Sequence, residues 1–272
     1  MSNPAVTLVG VPWDEGSSFL RGAAAGPAAI RAALASPSSN LSTEAGPDLA
    51  PGVNLLDAGD VPLPAGDPAA AGDAITRAIE VLIEQGRPVL ALGGDHAVTF
   101  PIVRAHAGRY RGLNILHLDA HPDLYGDFEG KPWSHASPFA RIMEAGLASR
   151  LVQAGIRTLN DAQRPQVRRF GVEQIAAHDW HENVELAFDG PVYLSLDLDV
   201  LDPAFAPGVS HHEPGGVSLR DVLRLLRRVR GRLVGADVVE LNPSRDRDGV
   251  TAMAAAKLAK EIAARLLADI LS

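Results

Sequence analysis

The 272-residue chain contains no cysteine. That absence excludes a disulfide framework, a thiolate zinc site, an iron–sulfur cluster and a cysteine nucleophile, so any metal must be held by histidine and carboxylate. The sequence also lacks any apolar run approaching the ~18 residues that span a bilayer, which speaks against a membrane partner. The opening Met1-Ser2-Asn3-Pro4-Ala5-Val6 has neither the basic nor the apolar region of a signal peptide. The expectation is a soluble, cytoplasmic protein. There is no block of like charge, and the net charge of −8 argues against a nucleic-acid surface. What is present is ordinary for a globular protein: 46% apolar residues, enough for a sizeable core, and 21% charged residues. The length alone suits one large domain or two small ones.

Short apolar, β-branched runs ending in glycine or charge predict strands over 5–11, 53–56, 89–92, 113–118, 151–156, 192–198 and 233–239, with a weaker one near 174–177. Between them the pattern predicts helices over 27–34, 68–84, 99–107, 136–145, 219–229 and 251–271. Ile75, Ile79, Leu82 and Ile83 show the helical period in the second of these. Strand alternating with helix over the whole length implies an α/β fold of three layers, α/β/α, around an eight-stranded, mostly parallel sheet. The Pro/Gly/Ser-rich stretch 36–52 reads as a surface loop, and no linker or composition shift divides residues 1–272, so one domain is expected.

Ligands of such sheets bind beyond the carboxyl ends of the strands, and the sequence concentrates its polar residues there. The third strand runs into Gly93-Gly94-Asp95-His96, the fourth into Asp119-Ala120-His121-Pro122-Asp123, and the seventh into Asp197-Leu198-Asp199. Residues two apart on a strand point the same way, so Asp119, His121 and Asp123 share a side if the extended form persists, as do Asp197 and Asp199. Carboxylates packed at this spacing at the end of a buried strand are costly unless a cation compensates them. Four aspartates and two histidines without a thiolate describe a site for hard to borderline divalent ions, best suited to Mn²⁺. Shared carboxylates favour a pair of ions about 3.5 Å apart. Each motif alone has an ordinary reading: Asp-x-Asp as a cap, His96 as a satisfied core histidine. His117 reads as a core histidine or one that supports a ligand, and Asp95 either orients His96 or caps the following helix. His106, His178 and His181 sit in polar contexts that predict solvated side chains.

At these residues the sequence resembles the ureohydrolases, the family of arginases, agmatinases, guanidinobutyrases and formimidoylglutamases. Gly93–His96, Asp119–Asp123 and Ser195-Leu196-Asp197-Leu198-Asp199-Val200-Leu201-Asp202-Pro203 resemble its three signature regions. The likeness runs from Gly16–Gly22 to Asp248–Met253. It is greatest to plant-type arginases, through Glu129-Gly130, Ser134–Ser137, Phe139–Glu144, Arg169–Gln174 and Pro207–Gly216. By position, the resemblance implies two Mn²⁺ ions, one held by His96, Asp119, Asp123 and Asp197, the other by His121, Asp119, Asp197 and Asp199. It further implies a metal-bridging hydroxide that attacks a guanidinium carbon, Asp123 as proton relay, His135 as the proton shuttle and Glu240 as partner of the substrate guanidinium. From the residues alone, His135 reads as an ordinary polar residue of a loop before a helix and Glu240 as a solvated acid at a strand end.

The family likeness favours L-arginine, giving L-ornithine and urea, with agmatine (to putrescine and urea) second and guanidinobutyrate third. The far end of the substrate is expected to meet the loops 127–134, 158–161 and 210–213, with Ser134, Lys131 and His211 as candidate contacts and Arg157 as a possible carboxylate partner. His212 is expected on the surface. Lys131-Pro132-Trp133 departs from the Asn-Lys-Tyr usual in the plant-type proteins. The family implies a homo-oligomer, a trimer or a hexamer. Two readings of other classes are a metal-dependent phosphoesterase, against which stands the lack of a phosphate cradle, and a non-catalytic metal-binding protein, against which stands the full ligand set.

Overall fold

The computed structural model describes residues 4–181 and 184–271; the first three residues of the segment read for a leader lie outside them. Eight strands form one sheet: β1 (Val6–Val11), β2 (Leu55–Asp60), β3 (Val89–Gly93), β4 (Asn114–Leu118), β5 (Arg150–Ile156), β6 (Glu173–Ala176), β7 (Ala187–Asp197) and β8 (Arg230–Val239). Their order is β2-β1-β3-β8-β7-β4-β5-β6, and every pairing is parallel. The helices are α1 (Gly26–Leu34), α2 (Pro68–Glu84), α3 (Thr99–Arg109), α4 (Pro138–Glu144), α5 (Arg164–Phe170), α6 (Leu219–Arg228) and α7 (Val250–Leu271).

Alternation along the strands builds the layers. Leu90, Leu116, Leu194 and Ala236 face the core shared with α1, α6 and α7, while Ala91, Ile115 and Tyr193 face the core shared with α2, α3 and α4. Burial on both faces explains why these strands read as continuous apolar runs. Local signals set the helix starts. Asp67 caps α2 by accepting from the Ala70 amide, with Pro68 in the first turn, and Ser218 and Asp221 form a reciprocal capping box on α6. No helix among the described residues is long and apolar enough to cross a membrane.

Several elements differ from the sequence expectation: β7 starts at Ala187 rather than 192, and β8 at Arg230 rather than 233. The short helix α5 was not foreseen, because it buries no residue fully and offers only Val167 and Phe170 to the core. Its signals are Pro165 at the start and left-handed Gly171 (φ 62°) at the end. Strand β2 starts at Leu55 rather than Val53, which is 57% exposed.

The chain crosses from β3 to β4 over the two strands that later fill the gap, β8 and β7. The four central strands therefore run β3-β8-β7-β4, with Leu92 beside Val238, Val239 beside Asp197, and Leu196 beside Leu118. Their carboxyl ends are level, and each leads directly into the candidate residues: His96, Glu240, Asp197 and Asp119.

Candidate functional site

Each candidate ligand is delivered at, or just past, the point where its strand stops. Beyond β3, Gly94 is required by close approach: a Cβ there would lie 1.8 Å from the Trp13 carbonyl oxygen. Asp95 then accepts from the Ala97 amide (3.0 Å) and from Ser17 Oγ (3.2 Å), so it caps the turn that presents His96. Strand β4 ends at Leu118 and β7 at Asp197. The extended form therefore does not persist through Asp123 or Asp199, and loop geometry rather than strand alternation aims these side chains. Asp123 sits at φ 50° and Glu240 at φ 67°. For non-glycine residues that conformation is uncommon, and it is held only where the surroundings over-determine it.

The ligand atoms converge. His96 Nδ1 lies 3.0 Å from Asp119 Oδ2, 3.1 Å from Asp123 Oδ2 and 3.2 Å from Asp197 Oδ2. His121 Nδ1 lies 2.9 Å from Asp199 Oδ2 and 3.4 Å from Asp119 Oδ1. Asp119 thus turns one oxygen to each histidine, as a carboxylate shared between two ions would. His96 Nδ1 is buried and has no hydrogen-bond partner, although three carboxylate oxygens surround it. Its other nitrogen, Nε2, meets Ser195 Oγ at 2.9 Å, and Ser195 donates to Asp237 (2.7 Å). A lone pair aimed at three anionic oxygens is repulsive unless a cation lies among them. The donor set therefore fits a pair of divalent ions.

Charge follows the same logic. Burial, with Asp199 and Asp119 beside it, pushes Asp197 well above the usual carboxylate range. Burial and Asp119 raise Asp199 to about 6. Burial opposes the charged form of His96 and His121, but the carboxylates outweigh it and raise both. Without an ion this cluster binds protons, and a cation would replace them.

Further side chains fix the ligands. Gln174 donates to Gln153 Oε1 (2.8 Å), Gln153 Nε2 meets His117 Nδ1 (3.0 Å), and His117 Nε2 meets Asp119 Oδ2 (2.7 Å), with Phe139 stacked on the imidazole. His117 therefore acts on Asp119 from below. Asp237 is fully buried and accepts from Tyr193 (2.7 Å) and Thr99 (2.9 Å) as well as Ser195. His106 corrects the sequence expectation of a solvated residue: it is fully buried, donating Nδ1–H to Ile102 O (2.9 Å) and packed on Tyr193. Burial lowers its pKa to about 4. Gly235 leaves room for its ring, since a Cβ there would fall 2.1 Å from Nε2.

A cavity of about 190 Å³ opens over the cluster. On one wall His135 Nδ1 lies 3.0 Å from Glu240 Oε1, and Nε2 lies 2.8 Å from Ser18 Oγ. Glu240 Oε1 also accepts the His96 amide (2.9 Å). Burial alone would lower the His135 pKa, but Glu240 raises it to about 9. In return His135 holds Glu240 below its usual range against burial. Buried Asp95, near Glu240, is pushed up to about 7.

His211 lines the cavity, its ring 5.1 Å from that of His135 and 5.9 Å from that of His121. Two candidate contacts do not line it. Ser134 is buried and accepts the Ala136 amide (3.2 Å), shaping the turn that presents His135. Lys131 is exposed in a turn with Phe128. Arg157 is no carboxylate partner either, because its guanidinium donates to main-chain carbonyls, Asp199 O among them. Trp133, in the departing tripeptide, packs near Phe100 and over Gly72 of α2. His212 is on the surface, bonded to Pro207 O (2.7 Å). Residues not singled out from the sequence complete the walls: Ser18, Tyr125, Phe128, Thr158, Asn160, Gln163, Ser210 and Glu213. Phe128, Thr158, Asn160, Ser210 and Glu213 come from the three loops expected to read the substrate.

The geometry has an independent counterpart in known proteins. The family model described as "Arginase family" matches residues 4–264. The chain belongs to the arginase family. It is 48% identical to "Arginase 1, mitochondrial" of Arabidopsis thaliana, over 96% of this chain and 81% of that protein. It is 36% identical to the agmatinase of Cronobacter sakazakii, over 94% of this chain and 85% of that one. Among solved structures, "Arginase from Medicago truncatula" superposes with a TM-score of 0.90 at 44% identity, covering 97% of this chain and 87% of that chain. Membership makes the chain a hydrolase of C–N bonds in linear amidines, in a binuclear metal-dependent family. The expectation of a cytoplasmic protein does not stand: the arginases of Arabidopsis and Medicago that it matches are named mitochondrial, or chloroplastic/mitochondrial. The apolar and charge pattern on which that expectation rested carries no information about a compartment.

Proposed function

We propose that this chain hydrolyses L-arginine to L-ornithine and urea, using two Mn²⁺ ions per subunit held by His96, Asp119, His121, Asp123, Asp197 and Asp199. The observation that carries the reading is the convergence of these six side chains under a cavity whose wall bears the His135–Glu240 pair. Oxygen and imidazole donors without thiolate suit Mn²⁺. Bound there, the ions supply a water acidic enough to act as a nucleophile near neutral pH.

The protein's own groups do the rest. Glu240 is a buried carboxylate whose Oε1 is taken by the His96 amide and His135, leaving Oε2 to accept N–H from a planar guanidinium and so orient its carbon over the cluster. Asp123 lines the cavity and takes the proton released by the attacking water. His135, held between Glu240 and Ser18, delivers a proton to the departing amine, which otherwise leaves as a poor anion. The balance is one guanidinium and one water in, one urea and one ammonium out.

At the far end, Glu213 offers a carboxylate for an α-ammonium, while Tyr125 and Asn160, mutually bonded at 2.6 Å, offer neutral donors for an α-carboxylate. Agmatine is the second reading, and a specific observation favours it: among the described residues no lysine or arginine lines the cavity to meet a carboxylate. We further propose that residues 1–272 act as one domain in a homo-oligomer, a trimer or hexamer, to be read by sedimentation.

The deciding experiment is a urea-release panel on Mn²⁺-loaded protein with arginine, agmatine, guanidinobutyrate and guanidine, and formiminoglutamate followed by formamide. Urea and ornithine in equal amounts from arginine are expected. Activity confined to agmatine overturns the substrate, and formamide release overturns the reaction.

A further inference from the structure

Arg157 stands one residue beyond β5, and its guanidinium serves main-chain carbonyls rather than an acid. Nη2 donates to Asp199 O (2.6 Å) and Glu213 O (2.6 Å), and Nε donates to Glu213 O (3.0 Å). Nη1 reaches Gly155 O (3.3 Å) and Val200 O (3.4 Å). Among the described residues Arg157 makes no ion pair; its charge is felt by Asp202 only at longer range. The Arg157 amide itself donates to Ala120 O (2.9 Å), and the Ala120 amide donates to Asp199 Oδ1 (3.1 Å). Ala120 separates Asp119 from His121. One residue therefore ties together the two segments that carry Asp119, His121 and Asp199, the group framing one cation position, and the loop that carries Glu213. The other position has different supports, because His96 is fixed through Ser195 and Asp237.

We infer that Arg157 is a positioning residue for the cation position framed by His121, Asp119 and Asp199, and that it sets the Glu213 loop at the cavity mouth relative to that position. A guanidinium is suited to this task because it presents five N–H donors in a rigid plane, whereas an ammonium presents three from one point. Arg157→Lys keeps the charge but loses the Nε bond to Glu213 O and the Nη1 bonds to Gly155 O and Val200 O, so the bridge is no longer held in one plane. The inference rests on the binuclear reading of the cluster, and its test separates the two.

The experiment is manganese titration of the full chain, followed by desalting, metal analysis and Mn²⁺ electron paramagnetic resonance, for wild type, Arg157→Lys and Arg157→Gln. Wild type is expected to retain two ions per chain with the spectrum of a coupled pair. Both variants are expected to hold one ion with unchanged affinity and to bind the second about 10–100-fold more weakly, the usual loss for a removed outer partner of a ligand. Their spectrum becomes that of an isolated ion. Arg157→Lys, the milder change, decides the matter if Arg157→Gln does not fold. Two ions bound with wild-type affinity in Arg157→Lys, or equal weakening of both, overturns the inference. Fewer than two ions in the wild type overturns the binuclear reading, and the assignment of Arg157 with it.

Discussion

The two proposed cation positions share Asp119 but are built differently. At one, the His96 side chain has no exposure, and its support is a run of core side chains: Ser195, Asp237, Tyr193 and Thr99. At the other, the His121 side chain is 25% exposed, and its neighbours are held through main-chain carbonyls by Arg157. The first position is braced by side chains rooted in strands β7 and β8, whereas the second is braced by loops past the strand ends, where local opening costs less. Loops are also where substrate is read, and Glu213, in one of them, has Oε1 3.8 Å from His121 Nε2. The difference implies that metal leaves the second position first, and that changes near the cavity mouth are felt there.

The largest effect tests what the positions share. Asp119→Asn removes the negative charge that each needs, so both ions should be lost and urea release should fall to that of chelator-treated protein. Changes to outer partners already cost about 10–100-fold in affinity, so a ligand change should cost more. Re-addition of Mn²⁺ should restore the treated wild type but not the variant. A variant that keeps one tight ion would mean that Asp119 is not shared.

Next comes Asp237→Asn, aimed at the first position alone. Asp237 accepts from three hydroxyl groups without a cationic partner. An amide would present N–H to one of those hydroxyls, leaving a buried donor or acceptor unmatched at about 1–3 kcal/mol. The expected result is a lower urea-melt midpoint, together with weaker binding of the tighter Mn²⁺ and an unchanged second ion. Equal weakening of both ions would erase the distinction between the positions.

How much of this was legible in the sequence follows from what each residue touches. The parallel sheet could be read because strands buried on both faces are apolar throughout, and the ligands because acids and histidines crowd their ends. The supports could not. Arg157 acts through carbonyls, which any sequence supplies. Asp237 lies inside an apolar strand, and the only signal was an acid where a core residue belongs. The burial of His106 is not legible because it depends on the missing Cβ of Gly235, a residue far along the chain that the fold places against α3. Lys131 was attractive as a charge, yet the turn at Phe128 directs it to solvent.

A smaller effect concerns the wall shared by both positions. In the metal-free protein Glu240 raises the His135 pKa to about 9. A raised folded-state pKa stabilises fully below the unfolded value near 6.5 and is lost as pH rises through about 9. His135→Asn should therefore destabilise the metal-free protein by on the order of 2 kcal/mol at pH 6, and by much less at pH 9.5, in urea melts at the two pH values. A pH-independent difference would show that the His135–Glu240 contact is neutral.

The smallest effect discriminates between the two roles open to Glu213, whose side chain is 40% exposed. Solvent screens a carboxylate at that exposure, so its attraction for a cation is worth about 1 kcal/mol or less, a few-fold in KM. If Glu213 meets the α-ammonium of arginine, Glu213→Gln should raise KM for arginine roughly 2–5-fold, leave kcat unchanged, and leave agmatine, which has no such group, unaffected. If Glu213 instead steadies His121, kcat should fall for both substrates while the KM values stay level, and the second Mn²⁺ should bind more weakly. Steady-state kinetics on the two substrates, with metal content measured on the same samples, separates a reader of the substrate from a support of the metal.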